Sequence, residues 1–175
     1  MIRAAIFTAG VIGLAACASA ATPPQILPRD ATTGRITFQA VVAAEGVSAD
    51  DLYSRAKLWA ATTYRSAKTV VDLEDRDAGR LMVKGRMTIP YAGLSSMDIR
   101  YQVLVEVKDG RFRYTLTDLE LVGTGGSPTA STPFESQFKN ALVGKKTLER
   151  VHIRCTEVIE SLIEGMTGPN TADKW

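Results

Sequence analysis

The sequence is short of the residues from which most enzymatic and metal sites are built. It holds one histidine, His152, and two cysteines, Cys17 and Cys155, in 175 residues. A lone histidine serves as a catalytic base only beside a nucleophile and an orienting partner, and neither can be named here. The glycines of Gly123-Thr124-Gly125-Gly126 lack the following lysine and the strand-to-helix setting that a phosphate loop needs. Asp75, Asp77 and Gly79 match part of a calcium loop, but the third acidic ligand and the distal glutamate are missing, so they read as a hairpin turn. A formal net charge of +2 is too small to imply a nucleic-acid partner by itself. These absences set the expectation: no catalytic residues, no cofactor, no metal and no nucleic acid.

What is present suits one globular domain. The chain is 45% hydrophobic and 23% charged, and at this length a fold buries roughly 70% of the surface of its unfolded chain without disulfides or a structural metal.

Met1-Ile2-Arg3 and the uncharged stretch Ala4 to Ala16 have the basic and apolar regions of a secretory signal. The run is too short to span a bilayer, which takes about 20 apolar residues, and Thr22-Pro23-Pro24 then breaks any helix. Leu14-Ala15-Ala16-Cys17 resembles the lipobox of bacterial lipoproteins at all four positions. That resemblance implies a signal peptide over residues 1–16, cleavage before Cys17 and lipid on Cys17, so that the membrane is the first partner. An ordinary signal peptide cut near Ala20 or Ala21 would discard Cys17 instead. With Cys17 acylated, Cys155 has no partner for an intramolecular disulfide. The lipoprotein resemblance further implies the outer membrane, facing the periplasm, because Ala18 and Ser19 are not the acidic residues that commonly retain such proteins at an inner membrane. Residues 17–33, rich in Ala, Thr and Pro, then read as a tether, residues 34–166 as the domain, and residues 167–175 as a loose tail.

Within the domain, Ile36, Phe38, Ala40 and Val42 alternate with Arg35, Thr37, Gln39 and Val41, the period of a half-buried strand. Ser48 at the N-cap, Asp51 three residues on, and Val47 positioned to staple onto Leu52 start a helix that runs to about Arg65. Its inner stripe is Leu52, Ala56, Trp59, Ala60 and Thr63, flanked by Tyr53 and Tyr64. Four extended runs follow, Thr69 to Glu74, Arg80 to Ile89, Met97 to Lys108 and Arg111 to Leu121, with turns at Asp77-Ala78-Gly79 and Asp109-Gly110. Gly123 to Asn140 reads as a long surface loop anchored by Phe134 and Phe138. A second helix from about Val143 to Met166 carries Leu148, Val151, Cys155, Val158, Ile159, Leu162, Ile163 and Met166 on one face, ended by Gly165 and Gly168-Pro169.

The predicted class is α+β, a single antiparallel sheet of about five strands with two helices on one face, in the order β-α-β-β-β-β-α. That order, with Gly34-Arg35-Ile36-Thr37-Phe38, the Tyr53-x-x-Ala56-x-x-Trp59 helix and the Asp75 to Leu81 turn, resembles bacterial domains of unknown function with a TBP-like fold. The resemblance implies the shape and assigns no activity. Alternation places Arg35, Thr37, Gln39, Lys84, Arg86, Arg100, Gln102, Arg111, Arg113, Thr115 and Thr117 on the open face. Arg35, Lys84, Arg86, Arg100 and Arg113 are the candidate binding residues, since arginine forks grip carboxylate or phosphate. The reading is a non-enzymatic binding or structural module for an envelope protein or anionic ligand. The alternative is a periplasmic carrier or sensor of a small anionic or lipidic ligand, with Trp59, Tyr53 and Tyr64 lining its pocket.

Overall fold

The computed structural model describes residues 26–64, 71–90, 95–123, 131–139 and 143–168. The predicted signal peptide, Cys17, most of the predicted tether, Phe138's side chain and the predicted C-terminal tail lie outside the described residues. The elements are β1 (Phe38–Ala43), α1 (Ala49–Thr63), β2 (Val71–Asp75), β3 (Arg80–Pro90), β4 (Ser96–Lys108), β5 (Arg111–Val122), β6 (Ser131–Pro133), a 3-10 helix (Phe134–Lys139) and α2 (Lys145–Thr167). They form one six-stranded antiparallel sheet in the order β1-β5-β4-β3-β2, with β6 also paired to β5.

The core follows from the period of two in the three long strands. Leu81, Val83, Met87 and Ile89 on β3, Met97 to Val107 at every second position on β4, and Phe112, Tyr114 and Leu116 on β5 all turn to one face. Both helices pack there, α1 on β3 and β4 and α2 on β3 and α1. Leu52, Tyr53, Ala56, Trp59 and Ala60 close the layer from α1; Val151, Cys155, Ile159, Leu162 and Met166 close it from α2.

Alternation breaks once in β5. Asp118 takes a left-handed φ of 53° and the register with β4 shifts between Arg100 and Gln102. This bulge inserts one residue, so Leu119 returns to the core three positions after Leu116.

Three boundaries differ from the sequence reading. Leu27, placed on the tether, is buried in the core, and Arg29 bridges to Ile36, so the last part of the predicted tether belongs to the domain. The long loop is partly structured: Ser131–Pro133 adds β6 beside the end of β5, because the fully buried Phe134 and the bond from the Ile36 N–H to the Glu135 carboxylate pull it onto the sheet. Gly165 does not end α2, which runs to Thr167 with Gly168 as its C-cap. A Cβ at Gly165 would sit 3.3 Å from Trp59 Cβ, so this glycine serves helix-to-helix approach.

Two capping contacts come from distant chain. Asp51 N–H donates to Ser48 Oγ at 3.1 Å, as the capping pattern predicts, and the Ala49 N–H donates to Asp109 Oδ1 at 2.8 Å. At the other end Arg55 on α1 donates through Nη1 to the carbonyls of Met166 and Gly168, at 2.9 and 3.0 Å, satisfying the C-terminus of α2.

Gly85 faces Tyr101 directly across β3 and β4, and the phenol ring lies over the glycine so closely that a Cβ would overlap its atoms. Glycine is thus required for the ring's position. Gly85→Ala is expected to lower stability by about 1–3 kcal/mol through overpacking, read as a lower urea midpoint. An unchanged midpoint would show that the ring moves aside at no cost.

Candidate functional site

With both helices on one side, no element among the described residues covers the second, open face of the sheet, and its side chains form rows across the strands. One row is Arg80, Glu106, Arg113 and Val41; the next is Leu73, Met82, Leu104, Thr115 and Gln39; the next is Lys84, Gln102 and Thr117; the last is Arg86, Arg100 and Glu120. The structure brings the predicted residues to this face and also brings carboxylates to them. Lys84 Nζ lies 2.9 Å from Asp72, Arg86 Nη2 lies 2.7 Å from Asp98, Arg35 pairs with Asp118 on the bulge, and Arg113 pairs with Glu106. Arg80 reaches the same Glu106 at 3.4 Å. Arg100 stands in register between Arg86 and Glu120. The face is therefore a lattice of ion pairs around an apolar middle. Exposed pairs of this kind add little stability, of order 0–1 kcal/mol each, but they cancel the charge of the arginines they hold. The signal was available in the sequence: Asp98 and Glu106 share the parity of Arg100 on β4.

The rows end at the β4–β5 turn, where the pairing stops. Lys108 and Arg111 face each other across Asp109-Gly110, and neither has a carboxylate partner among the described residues. Beside them Val41, Arg80, Glu106 and Arg113 line an open cleft of about 400 Å3. The turn itself is anchored: the Gly110 N–H donates to Val47 O and its carbonyl accepts from Ala44 N–H, both in the β1–α1 connection. Gly110 has φ of 73° while Asp109 does not, so the turn is not of the type that needs both at positive φ. Asp109 is instead free to cap α1.

The remaining candidates are structural. Trp59 stands edge-on to Tyr64 with ring centroids 5.8 Å apart and donates to Ser161 Oγ, and the Tyr64 and Tyr101 hydroxyls meet at 3.1 Å, their pKa values raised by burial. His152 packs against Phe38 with centroids 5.5 Å apart. Asp75 Oδ1 accepts from the Ala78 N–H and closes the β2–β3 turn, in which Gly79 has φ of 62°.

The architecture belongs to the TBP-like class of α+β domains. Residues 38–121 match the family model described as a domain of unknown function (DUF4468) with TBP-like fold. A TBP-like protein from Parabacteroides distasonis ATCC 8503 superposes with a TM-score of 0.67 at 11% identity, over 83% of this chain and 100% of that one. A DUF4468 family protein from Bacteroides ovatus ATCC 8483 gives 0.63 at 16% identity, over 83% and 93%. At such identities the likeness carries the fold and nothing about ligands. No protein of curated function matches the sequence.

Cys155 is fully buried, and burial pushes its thiol from an ordinary value of 9 up to about 12. The folded state holds this proton more tightly than the unfolded chain, so the contribution is complete below about pH 9 and is lost as pH rises toward about 12. At pH 8 the thiol of the native protein is expected to resist alkylation and to react once urea opens the core. Rapid native labelling would show that α2 opens readily.

Proposed function

We propose that the protein is a lipid-anchored envelope module, non-enzymatic, that presents the open face of its sheet to a partner. One observation carries the reading: both helices and the whole apolar core take one side of the sheet, leaving a broad, ordered and charged surface on the other. The Leu14 to Cys17 motif supports the anchor, and the envelope supports a partner rich in carboxylate or phosphate groups. The carrier alternative has less support, since Trp59, Tyr64 and Tyr101 fill the space between helix and sheet with one another.

The anchor is tested on the full chain expressed in a bacterial host. The mature protein is expected in the membrane fraction, with a denatured mass of residues 17–175 plus acyl chains, and C17S is expected in the soluble envelope fraction. A mature chain that begins near Ala20 or Ala21 and carries no lipid would overturn the anchored reading.

A further inference from the structure

We infer that the cleft at the β4–β5 end of the open face is a binding site for an oxyanion, a phosphate or carboxylate group, held between Lys108 and Arg111. The inference rests on the proposal that the open face is the binding surface and narrows it to one end. Its first ground is a contrast in electrostatics. Elsewhere on the face Lys84 stands beside Asp72, Arg86 beside Asp98 and Arg35 beside Asp118. Lys108 and Arg111, like Arg86 and Arg100, are cations directly opposite one another, an arrangement that destabilises a strand pair unless a carboxylate stands beside it, as Asp98 does beside Arg86. Neither Lys108 nor Arg111 has an acidic partner among the described residues. A local rule broken without an internal compensation is what a ligand site produces.

The second ground is how the neighbouring arginines are held. Glu106 is the one carboxylate in the cleft and lies low in it, its side chain 19% exposed, while the Arg80 and Arg113 side chains above it are 54% and 47% exposed. It accepts from Nε and Nη2 of Arg113 and forms an ion pair with Arg80, whose Nε lies 3.4 Å away, contacts that leave N–H donors on both guanidinium groups unused. Glu106 is thus a positioning residue. Val41, 63% exposed on the edge strand, supplies an apolar wall. The cleft of about 400 Å3 takes one small group or the acidic end of a longer molecule.

The test uses the full-length protein in mild neutral detergent at low salt, because exposed charges are screened within about 8 Å at physiological ionic strength. Binding of inorganic phosphate, of an N-acetylated dipeptide with a free carboxylate, and of vesicles of phosphatidylcholine with and without phosphatidylglycerol is measured by calorimetry or flotation. Phosphate or the dipeptide is expected to bind, and K108E/R111E to weaken that binding about 10- to 100-fold, as loss of charge-assisted contacts does. K84E/R86E, which changes the net charge equally, is expected to change it less than about threefold, well short of the tenfold that one lost charge-assisted contact brings. K108E alone removes the like-charge pair, so its thermal midpoint is expected to rise at low salt while binding falls, which separates loss of the site from loss of the fold. Equal affinity in wild type and K108E/R111E, or vesicle binding with neither small oxyanion bound, would overturn the site. Binding lost in K84E/R86E but kept in K108E/R111E would overturn the cleft and leave the open face as the surface. Indifference to both sets of changes would overturn the face as well.

Discussion

Strand β4 commits Met97, Ile99, Tyr101, Val103, Val105 and Val107 to a single face, and β3 and β5 on either side commit theirs to the same one. A slip of one residue would turn every one of these side chains to water, so the register of the three central strands is the constraint on which the rest depends. It sets where α1 and α2 lie and which residues are left on the open face. Gly85 and Tyr101 act at the middle of this arrangement, since the ring over the glycine joins β3 and β4 side by side and carries the hydroxyl that meets Tyr64.

The helices are held to the sheet by more than their apolar stripes. Asp109, at the tip of the β4–β5 hairpin, caps the start of α1, while Arg55 on α1 caps the end of α2. Through these contacts the hairpin tip, the first helix and the last helix become one unit. The Asp109-Gly110 turn is tied by these hydrogen bonds to the β1–α1 connection, and Lys108 and Arg111 flank it in register at the end of the open face. A cation pair held there keeps its repulsion, whereas cations on a mobile loop would separate. The rest of the face has its charges compensated by cross-strand partners, so its two regions differ in kind: one is neutral on average, the other carries excess positive charge.

Much of this was legible in the sequence. The alternation from Arg80 to Leu121, the turn residues and the Ser48 cap mark elements by local rules that tertiary structure did not override, and β2 to β5 and α1 lie close to their predicted spans. The short strand β6 was hidden because its three residues, Ser131–Pro133, have no period of their own and are ordered by Phe134 and Glu135 contacts with distant chain. Gly165 misled for a similar reason: a glycine near a helix end satisfies the stop pattern, and only the neighbouring Trp59 shows it to be a packing residue. The open-face arginines were found correctly as residues of one face, but not as partners of Asp72, Asp98, Glu106 and Asp118.

By itself the amino-acid order determined the secondary elements, the face each strand buries and the basic residues available on the other, because these depend on spacing along one strand or helix. Tertiary structure alone decided which cations are neutralised and which are not, since a carboxylate cancels an arginine only when another strand carries it into reach. Lys108 and Arg111 resemble Lys84 and Arg86 in sequence. Strand pairing brings Asp72 and Asp98 to the latter and no carboxylate among the described residues to the former.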